Sequence, residues 1–249
     1  MGKSQPLISV ITITYNAEDC LYPTMRSVAA QSFKDFEHII VDGASTDNTL
    51  QIARSLGTSN LRILSEPDKG LYDAMNKGLS MANGRYLLFL NAGDAFHSED
   101  TLSHYAAEAK KNRDIIYGDT VIVDKDRNFI KKRHLSAPRI LTYESFANGM
   151  LVCHQAFMVR RDLAPRYNLD YRFSADYEWT LRCLKRSRPG SCANLNEVTI
   201  DYLNDGLTDK NHRASLKERF MIMRHHFGLI PTIGRHIMFL FRSLKRKLL

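Results

Sequence analysis

The chain has 249 residues, enough for one large α/β domain with its own core, or for a domain plus a small appendage. A composition of 44% hydrophobic and 25% charged residues excludes the disordered and fibrous classes. The formal net charge of +8 suits an anionic partner such as a nucleotide, a nucleic acid or an acidic lipid surface, and charge alone does not choose among them.

Cysteine spacing and hydropathy predict a reduced cytoplasmic protein. The four cysteines show no CxxC pair and no histidine at zinc-finger spacing. The N-terminal residues lead directly into a strand, without the apolar region of a signal peptide. The apolar segments near the C-terminus are interrupted by Arg and Lys, so no transmembrane helix is expected.

The first part of the chain alternates strand and helix patterns. Strands are predicted at 7–14, 36–41, 61–64 and 86–90, with helices running to residue 31, opening at 45–47 and spanning 71–81. The run at 86–90 is apolar on both faces, as in a buried parallel strand. This alternation predicts a parallel sheet with right-handed crossovers.

The second part predicts a mixed sheet and a helical C-terminus. The helices are expected at 99–109, 138–146, 174–184 and 211–227, and the strands at 115–117, 121–123, 129–131, 156–159 and 194–203. The strands at 121–123 and 129–131 form a predicted hairpin. Pro231 is expected to break the chain before a basic amphipathic segment at 232–249.

Three aspartates are candidates for chemistry. Asp42 and Asp94 follow predicted strands, and Asp176 opens a predicted helix. Ligands of open parallel sheets lie beyond the carboxyl ends of the strands. A single aspartate there is commonly a turn or cap residue. Three converging carboxylates instead favour a site that holds a divalent cation, orients nucleoside hydroxyls and keeps one carboxylate as a general base.

Four segments, in order, resemble a known family. They are ISVITITYNAE, VDGASTDNT, EPDKGLYDAMNKGLSMANGRYLLFLNAGD and SADYEWTLR, and together they span about residues 7–184. They are similar to motifs of the inverting nucleotide-sugar glycosyltransferases of family 2, which have a GT-A fold. Within that family the chain most resembles the transferases of bacterial capsule and colanic acid biosynthesis.

The resemblance implies an α/β GT-A fold, Rossmann-like, with a mixed and mostly parallel sheet flanked by helices and a C-terminal helical extension. It implies a nucleotide-binding half at 1–97, an acceptor half at 98–210 and basic amphipathic helices at 211–249. The implied function is transfer of a sugar, with inversion, from a nucleotide sugar, a UDP-sugar being favoured, to a glycan or polyprenyl-linked acceptor in bacterial surface polysaccharide synthesis.

The same resemblance assigns the site residues. Asp176 matches the catalytic base and Asp94 the metal ligand. The donor-binding positions are Thr14, Tyr15, Asn16, Asp42, Asp68, Lys69, Gly70, Asn76 and Asn91, and the acceptor-side positions are His154, Gln155 and Trp179. Trp179 is equally well explained as a core anchor, His154 as a packing residue, and Lys69 with Gly70 as a plain turn.

The metal motif departs from the family pattern. The usual run of aspartates is replaced by Asn91, Ala92, Gly93 and Asp94, so one carboxylate remains. Mg²⁺ commonly uses one or two carboxylates plus substrate phosphates. The cofactor is therefore expected to be Mn²⁺ or Mg²⁺ bound mainly together with the nucleotide.

The C-terminal segment mixes Phe, Ile and Leu with Arg and Lys. That composition is typical of an interfacial helix on anionic lipid, which predicts a peripheral location at the inner face of the cell membrane, beside a lipid-linked acceptor. A solvated helix packed on the domain is the simpler explanation.

Three other functions fit parts of the sequence. A weakly active or inactive nucleotide-sugar-binding protein is suggested by the depleted metal motif. A nucleotidyltransferase would need a Gly- and Arg-rich phosphate loop after the first strand, where the chain has Tyr15, Asn16, Ala17 and Glu18. Nucleic-acid binding is not expected, because the basic residues cluster at the C-terminus without interleaved stacking aromatics.

Overall fold

The structure, a computed structural model, describes residues 5–204 and 212–247. The strands are β1 (Ile8–Thr14), β2 (Phe36–Asp42), β3 (Leu61–Ser65), β4 (Tyr86–Phe89), β5 (Ala95–Phe96), β6 (Ile115–Val123), β7 (Phe129–Lys132), β8 (Phe157–Arg160) and β9 (Cys192–Leu203). The helices are α1 (Glu18–Ala29), α2 (Thr49–Leu56), α3 (Leu71–Met81), α4 (Thr101–Lys110), α5 (Ala175–Arg186), α6 (His212–Phe227) and α7 (Leu229–Lys247).

Within the described residues, the strands form one sheet in the order β3-β2-β1-β4-β8-β6-β9-β5, and β7 pairs with β6. The first four strands in that order are parallel, as the alternating sequence predicts. Every residue of β1, β2 and β4 is buried, because helices cover both faces of this part of the sheet.

The register brings the predicted site to one edge. Thr14 at the end of β1 pairs with Asp42 at the end of β2. Phe89, the last residue of β4, pairs with Ile11 of β1, so the turn that follows β4 leaves the sheet on the same side. The carboxyl ends of the parallel strands therefore meet there.

The second half of the sheet is mixed. β8 runs antiparallel to β4 and to β6, whereas β6 and β9 are parallel. The predicted hairpin is confirmed as the antiparallel pair β6 and β7. Its first strand is longer than expected, because the segments at 115–117 and 121–123 form one continuous strand.

Two local predictions are wrong. The helix expected at 138–146 is a short 3₁₀ helix, Glu144–Asn148. Pro231 does not break the chain, since it lies in the first turn of α7, where the missing N–H would have no intrahelical partner. The break between α6 and α7 falls at Gly228, whose φ of 87° lies in the left-handed region that favours glycine.

Helix α6 belongs to the main core. Its Ile222 and Met223 are buried in the same cluster as the strands of the sheet. The predicted boundary between residues 210 and 211 falls in the stretch 205–211, outside the described residues, and the division into halves stays a prediction. No helix in the described part of the chain is both long and apolar enough to cross a membrane.

Candidate active site

Asp42 is the center of a hydrogen-bond network at the ends of β1, β2 and β3. Its Oδ1 accepts from the hydroxyls of Thr14 at 2.8 Å and Ser45 at 2.5 Å, and its Oδ2 accepts from the Ser45 N–H at 2.9 Å and the Ser65 hydroxyl at 2.7 Å. Burial alone would raise the pKa of this carboxyl, but these hydrogen bonds lower it. In this structure Asp42 and Thr14 are engaged with each other and are fully or almost fully buried.

Tyr15 and Asp68 lie close to Gly43, beside this network. A Cβ at Gly43 would come within 2.6 Å of Asp68 Oδ2 and 3.2 Å of Tyr15 Cδ2, so a side chain at this position would displace the Asp68 carboxylate. The Tyr15 side chain is 68% exposed. Asn16, with a φ of 45°, accepts the Thr46 N–H at 3.0 Å through its side chain and so holds the loop after β2. An exposed aromatic ring beside a carboxylate can bind a planar, hydroxylated ligand such as a nucleoside.

The turn after β3, which contains Asp68, Lys69 and Gly70, lies next to Tyr15 and Gly43. Asp68 Oδ1 accepts the Gly70 N–H at 2.7 Å, and Gly70 has a φ of 115°, which favours glycine. Asp73 accepts the Lys69 N–H at 3.0 Å. Lys69 and Gly70 are exposed, so the position of both is compatible with a role in donor binding.

Asn76 has a structural role instead of the donor contact that the resemblance implies. Its side chain is 2% exposed on α3. Its Oδ1 accepts the Tyr167 N–H at 2.7 Å, and its Nδ2 donates to the Tyr167 carbonyl at 3.1 Å. These two bonds use the amide to fix the segment before α5.

Asp94 lies in the turn between β4 and β5 and is 4% exposed. Its Oδ2 accepts the Gln155 side-chain N–H at 2.8 Å, and its Oδ1 accepts the Leu203 backbone N–H at 3.0 Å. Burial raises the pKa of Asp94 to about 7, against the lowering effect of these bonds and of the nearby Arg127. Gln155, expected on the acceptor side, is instead a partner of the predicted metal ligand.

Asn91 and Asp94 are the candidate cation ligands of this turn. Asn91 Oδ1 is buried and has no hydrogen-bond partner among the described residues. Carboxylate and amide oxygens are the ligands that Mg²⁺ and Mn²⁺ prefer. No group of three or more His, Cys, Asp and Glu side chains in the described ranges could hold a metal. Asp94 and Asn91 therefore suit a cation that takes its other ligands from donor phosphates.

Arg127 is a neighbour of Asp94 that sequence analysis missed. It lies in the β6–β7 turn, and its Nη2 donates to the Gly93 carbonyl at 2.7 Å. Its Nε and Nη1 are buried without a hydrogen-bond partner in the part of the chain that the structure describes. The hairpin prediction located the turn, but no local pattern indicates that its arginine reaches a residue 34 positions earlier in the chain.

Asp176 lies in the first turn of α5, where the helix N-terminus stabilises an anion. It is partly exposed, and its Oδ1 accepts the Tyr72 hydroxyl at 3.2 Å. A second carboxylate in the same turn, Glu178, is buried and forms an ion pair with Arg182 at 2.7 Å. Of the two carboxylates, Asp176 is therefore the one that can meet a substrate hydroxyl.

Trp179 and His154 lie in an aromatic cluster under the site. Trp179 is 0% exposed, stacks on Tyr167 at 5.0 Å between ring centroids, and donates its Nε1–H to the Pro165 carbonyl at 2.7 Å. His154 Nε2 is 2.5 Å from the Tyr167 hydroxyl, and burial lowers the pKa of His154 to about 4, so its ring is neutral. Their contacts support the core interpretation of both residues, not direct contact with an acceptor.

Comparison with known proteins decides the family. Residues 9–167 match the family model described as Glycosyl transferase family 2. The chain belongs to glycosyltransferase family 2. The matched residues lie within the span of about 7–184 over which the sequence resembles this family.

Two relatives illustrate this glycosyltransferase membership. The chain is 35% identical over 208 residues to a PGL/p-HBAD biosynthesis glycosyltransferase of Mycobacterium bovis, covering 80% of this chain and 77% of the relative. It is 28% identical over 236 residues to the putative teichuronic acid biosynthesis glycosyltransferase TuaG of Bacillus subtilis, covering 91% and 92%.

Solved structures show that the fold is GT-A. Residues 1–349 of S. aureus TarS in complex with UDP-GlcNAc align with a TM-score of 0.74 at 20% identity, covering 94% of this chain and 73% of that one. The mannosyltransferase PcManGT of Pyrobaculum calidifontis, in complex with GDP-Man and Mn²⁺, aligns with a TM-score of 0.62 at 15% identity, covering 94% and 74%.

Proposed function

We propose that this family 2 glycosyltransferase transfers a sugar, with inversion, from a nucleotide-sugar donor to a glycan or lipid-linked acceptor in bacterial surface polysaccharide synthesis. The observation that carries the proposal is the partly exposed carboxylate of Asp176, in contact with Tyr72 on α3. Helix α3 follows the Asp68–Gly70 turn, and Asp68 lies close to Tyr15 and Gly43. A candidate base and a candidate nucleoside site therefore lie on the same side of the sheet.

In the proposed reaction, Asp176 accepts the proton of an acceptor hydroxyl as that oxygen attacks the anomeric carbon of the donor sugar. A new C–O bond forms, and the bond from the anomeric carbon to the diphosphate oxygen breaks on the opposite face. The nucleoside diphosphate leaves with the electron pair. One base suffices for this single displacement, and no covalent enzyme intermediate is required.

The donor's diphosphate is proposed to lie near the turn that holds Asn91 and Asp94. These residues would hold a Mn²⁺ or Mg²⁺ ion together with the phosphates, and that ion, when bound, would neutralise charge on the leaving diphosphate. Lys69, exposed in the turn after β3, supplies a further positive charge on the donor side.

A donor screen followed by a transfer assay tests this proposal. Thermal shifts with UDP-, GDP- and dTDP-sugars in the presence of Mn²⁺ should identify the donor. A UDP-sugar is favoured, in line with the UDP-GlcNAc complex of the structural neighbour TarS. The wild type should then transfer or hydrolyse that donor, and Asp94→Ala should not. Donor binding without any turnover by the wild type would contradict the proposal and favour an inactive nucleotide-sugar-binding protein.

We also propose that α7 associates with an anionic membrane surface. Its Ile230, Ile237 and Phe241 share one helical face and are 84%, 51% and 66% exposed. Thr232 and His236, on another side of the helix, are bonded or packed within the protein. The helix is therefore apolar on the face that turns away from the domain.

The charge of α7 indicates which partner its exposed apolar face contacts. The sequence of α7 contains Arg and Lys residues and no Asp or Glu. Anionic lipid attracts such a positively charged helix, whereas α7 of a second copy carries the same positive charge and would repel it. Docking would place the site at the inner face of the cell membrane, beside a polyprenyl-linked acceptor.

A further inference from the structure

A carboxylate on α6 holds the segment that leads into α5. Glu218 Oε1 accepts the Arg172 N–H at 2.8 Å, and its Oε2 accepts the N–H groups of Phe173 at 2.8 Å and Ser174 at 2.9 Å. Ser174 is the residue immediately before the first turn of α5. One side chain therefore satisfies three consecutive backbone donors at this helix N-terminus.

This segment ends two residues before Asp176. Ser174 immediately precedes the first turn of α5, which carries Asp176. The position of the Ser174 backbone therefore determines the position of the Asp176 side chain. On the other side, the Tyr72 hydroxyl contacts the same carboxylate. Glu218 and Tyr72 thus constrain Asp176 from α6 and α3, and Glu218 does so without contacting it.

The junction does not depend on Glu218 alone. The hydroxyls of Ser174 and Ser215 are 3.0 Å apart, and Ile222 and Met223 anchor α6 in the core. Charge-assisted bonds from backbone N–H groups to a carboxylate are shorter and stronger than neutral ones. The three bonds therefore add precision to a contact that packing already maintains.

We propose that Glu218 is a positioning residue for the base Asp176, and that it links the C-terminal helices to the catalytic center. The inference rests on the proposed function, because it assumes that Asp176 is the base. It implies that changes in α6, including those that follow docking of α7 on a lipid surface, reach the active site through the 172–174 backbone.

The test substitutes Glu218→Gln in the full chain. An amide has one oxygen, and its NH₂ group would face backbone N–H donors, so the 172–174 segment should loosen. We expect kcat to fall about 10- to 100-fold, as for a small misplacement of a catalytic group. The donor dissociation constant should stay within about twofold, because Glu218 does not contact Tyr15 or Asp68, the residues of the candidate nucleoside site.

Two measurements separate positioning from general destabilisation. Amide hydrogen exchange should accelerate at residues 172–174, with no change in β1. In an Asp176→Asn background, Glu218→Gln should cost little further activity, because the group it positions has been removed. Glu197→Gln is the matched control, since its carboxylate bonds the exposed His104 on α4 and not the backbone before α5.

The outcomes are distinct. An unchanged kcat in Glu218→Gln, or an equal fold loss in both backgrounds, overturns the inference while leaving the proposed function intact. A wild type that turns over no nucleotide sugar contradicts the proposed function itself. If Glu218→Gln does not fold, Glu218→Asp keeps the charge with a shorter reach and should show the same pattern at smaller amplitude.

Discussion

At the scale of single residues, the three aspartates at the site have different surroundings. Asp42 is buried and receives hydrogen bonds that lower its pKa. Asp94 is buried with fewer compensating bonds, and its pKa is raised to about 7. Asp176 is partly exposed at a helix N-terminus. These differences are compatible with the separate roles proposed for Asp94 in diphosphate binding and for Asp176 in proton transfer.

The turn that holds Asp94 makes a prediction about metal binding. With Asn91 in place of a carboxylate, the free protein offers a cation little negative charge, and the donor phosphates must supply the remaining ligands. Calorimetry should therefore detect Mn²⁺ binding in the presence of UDP and little binding to the protein alone. Asp94→Ala should abolish the nucleotide-dependent binding, and tight binding of Mn²⁺ to the protein alone would contradict this account.

The three aspartates could be located from the sequence. The residues that contact them could not. Asp42, Asp94 and Asp176 could be predicted because strand ends and helix starts have local patterns. Their surroundings could not, because Gln155 and Leu203 reach Asp94 from 61 and 109 residues away. For the same reason Asn76 looked like a donor contact, although its amide is used by Tyr167.

At the scale of elements, helix boundaries followed the sequence where the local chemistry was unambiguous. Helix α3 spans Leu71–Met81, as predicted, after a glycine with positive φ. The junction of α6 and α7 lies before Pro231 and not at it, because proline is tolerated in the first turn of a helix. Gly228 ends α6 instead, and α7 consequently starts earlier, at Leu229.

Helix α7 makes a prediction about membrane binding. Replacing Ile230, Ile237 and Phe241 with Ser removes apolar area from the exposed face without touching the residues that pack on the domain. The wild type should co-sediment with vesicles that contain anionic lipid, less so with neutral vesicles or at high salt, and the triple variant should not. Equal sedimentation of both proteins would exclude this face as the anchor.

Truncation after Phe227 gives a second comparison for the same helix. The shortened chain keeps α6, including Ile222 and Met223 of the core, and lacks α7. It should lose vesicle binding while its donor affinity is retained. Sedimentation equal to that of the full chain would locate the membrane contact elsewhere.

At the scale of the whole molecule, one buried histidine predicts how stability depends on pH. His38 on β2 is 1% exposed, and its Nε2 lies 3.0 Å from the Thr12 hydroxyl. Burial lowers its pKa from 6.5 to about 4. The unfolded chain therefore binds a proton at His38 at a pH where the folded protein does not, and the contribution of His38 to the free energy of unfolding decreases as the pH falls from about 6.5 to about 4. His154, with its lowered pKa, contributes in the same direction, and Asp94, with its raised pKa, in the opposite direction.

The size of that loss can be measured. The difference between the two pKa values corresponds to about 3 kcal/mol, and His38→Leu should remove this contribution from the change in unfolding free energy between pH 6.5 and pH 4. Urea unfolding at several pH values measures it, with His225→Leu at an exposed position as the control. Equal slopes for His38→Leu and the wild type would contradict the predicted neutral state of His38. Carboxylates with lowered pKa, such as Asp42, lose their contribution at lower pH.

The parallel half of the sheet, from β1 to β4, was predictable because its strands are continuous apolar runs separated by helices. The mixed half of the sheet, which contains β5 to β9, was harder to predict. β6 contains Gly118 and Asp119 in its middle, which interrupt the apolar pattern and led to two short predicted strands. In the structure β6 is one continuous strand that pairs with β8 and β9. Pairing between strands that are distant in the chain is not visible in the local sequence.

The proposed reaction depends most on Asp176 as the base. Asp176→Asn keeps the size of the side chain and removes its ability to take a proton, so sugar transfer should fall by about 10²- to 10⁴-fold. Donor affinity, measured by calorimetry on the same preparation, should be unchanged, and Asp162→Asn at an exposed carboxylate should retain full activity. An Asp176→Asn variant that transfers sugar at close to the wild-type rate would contradict the proposed mechanism.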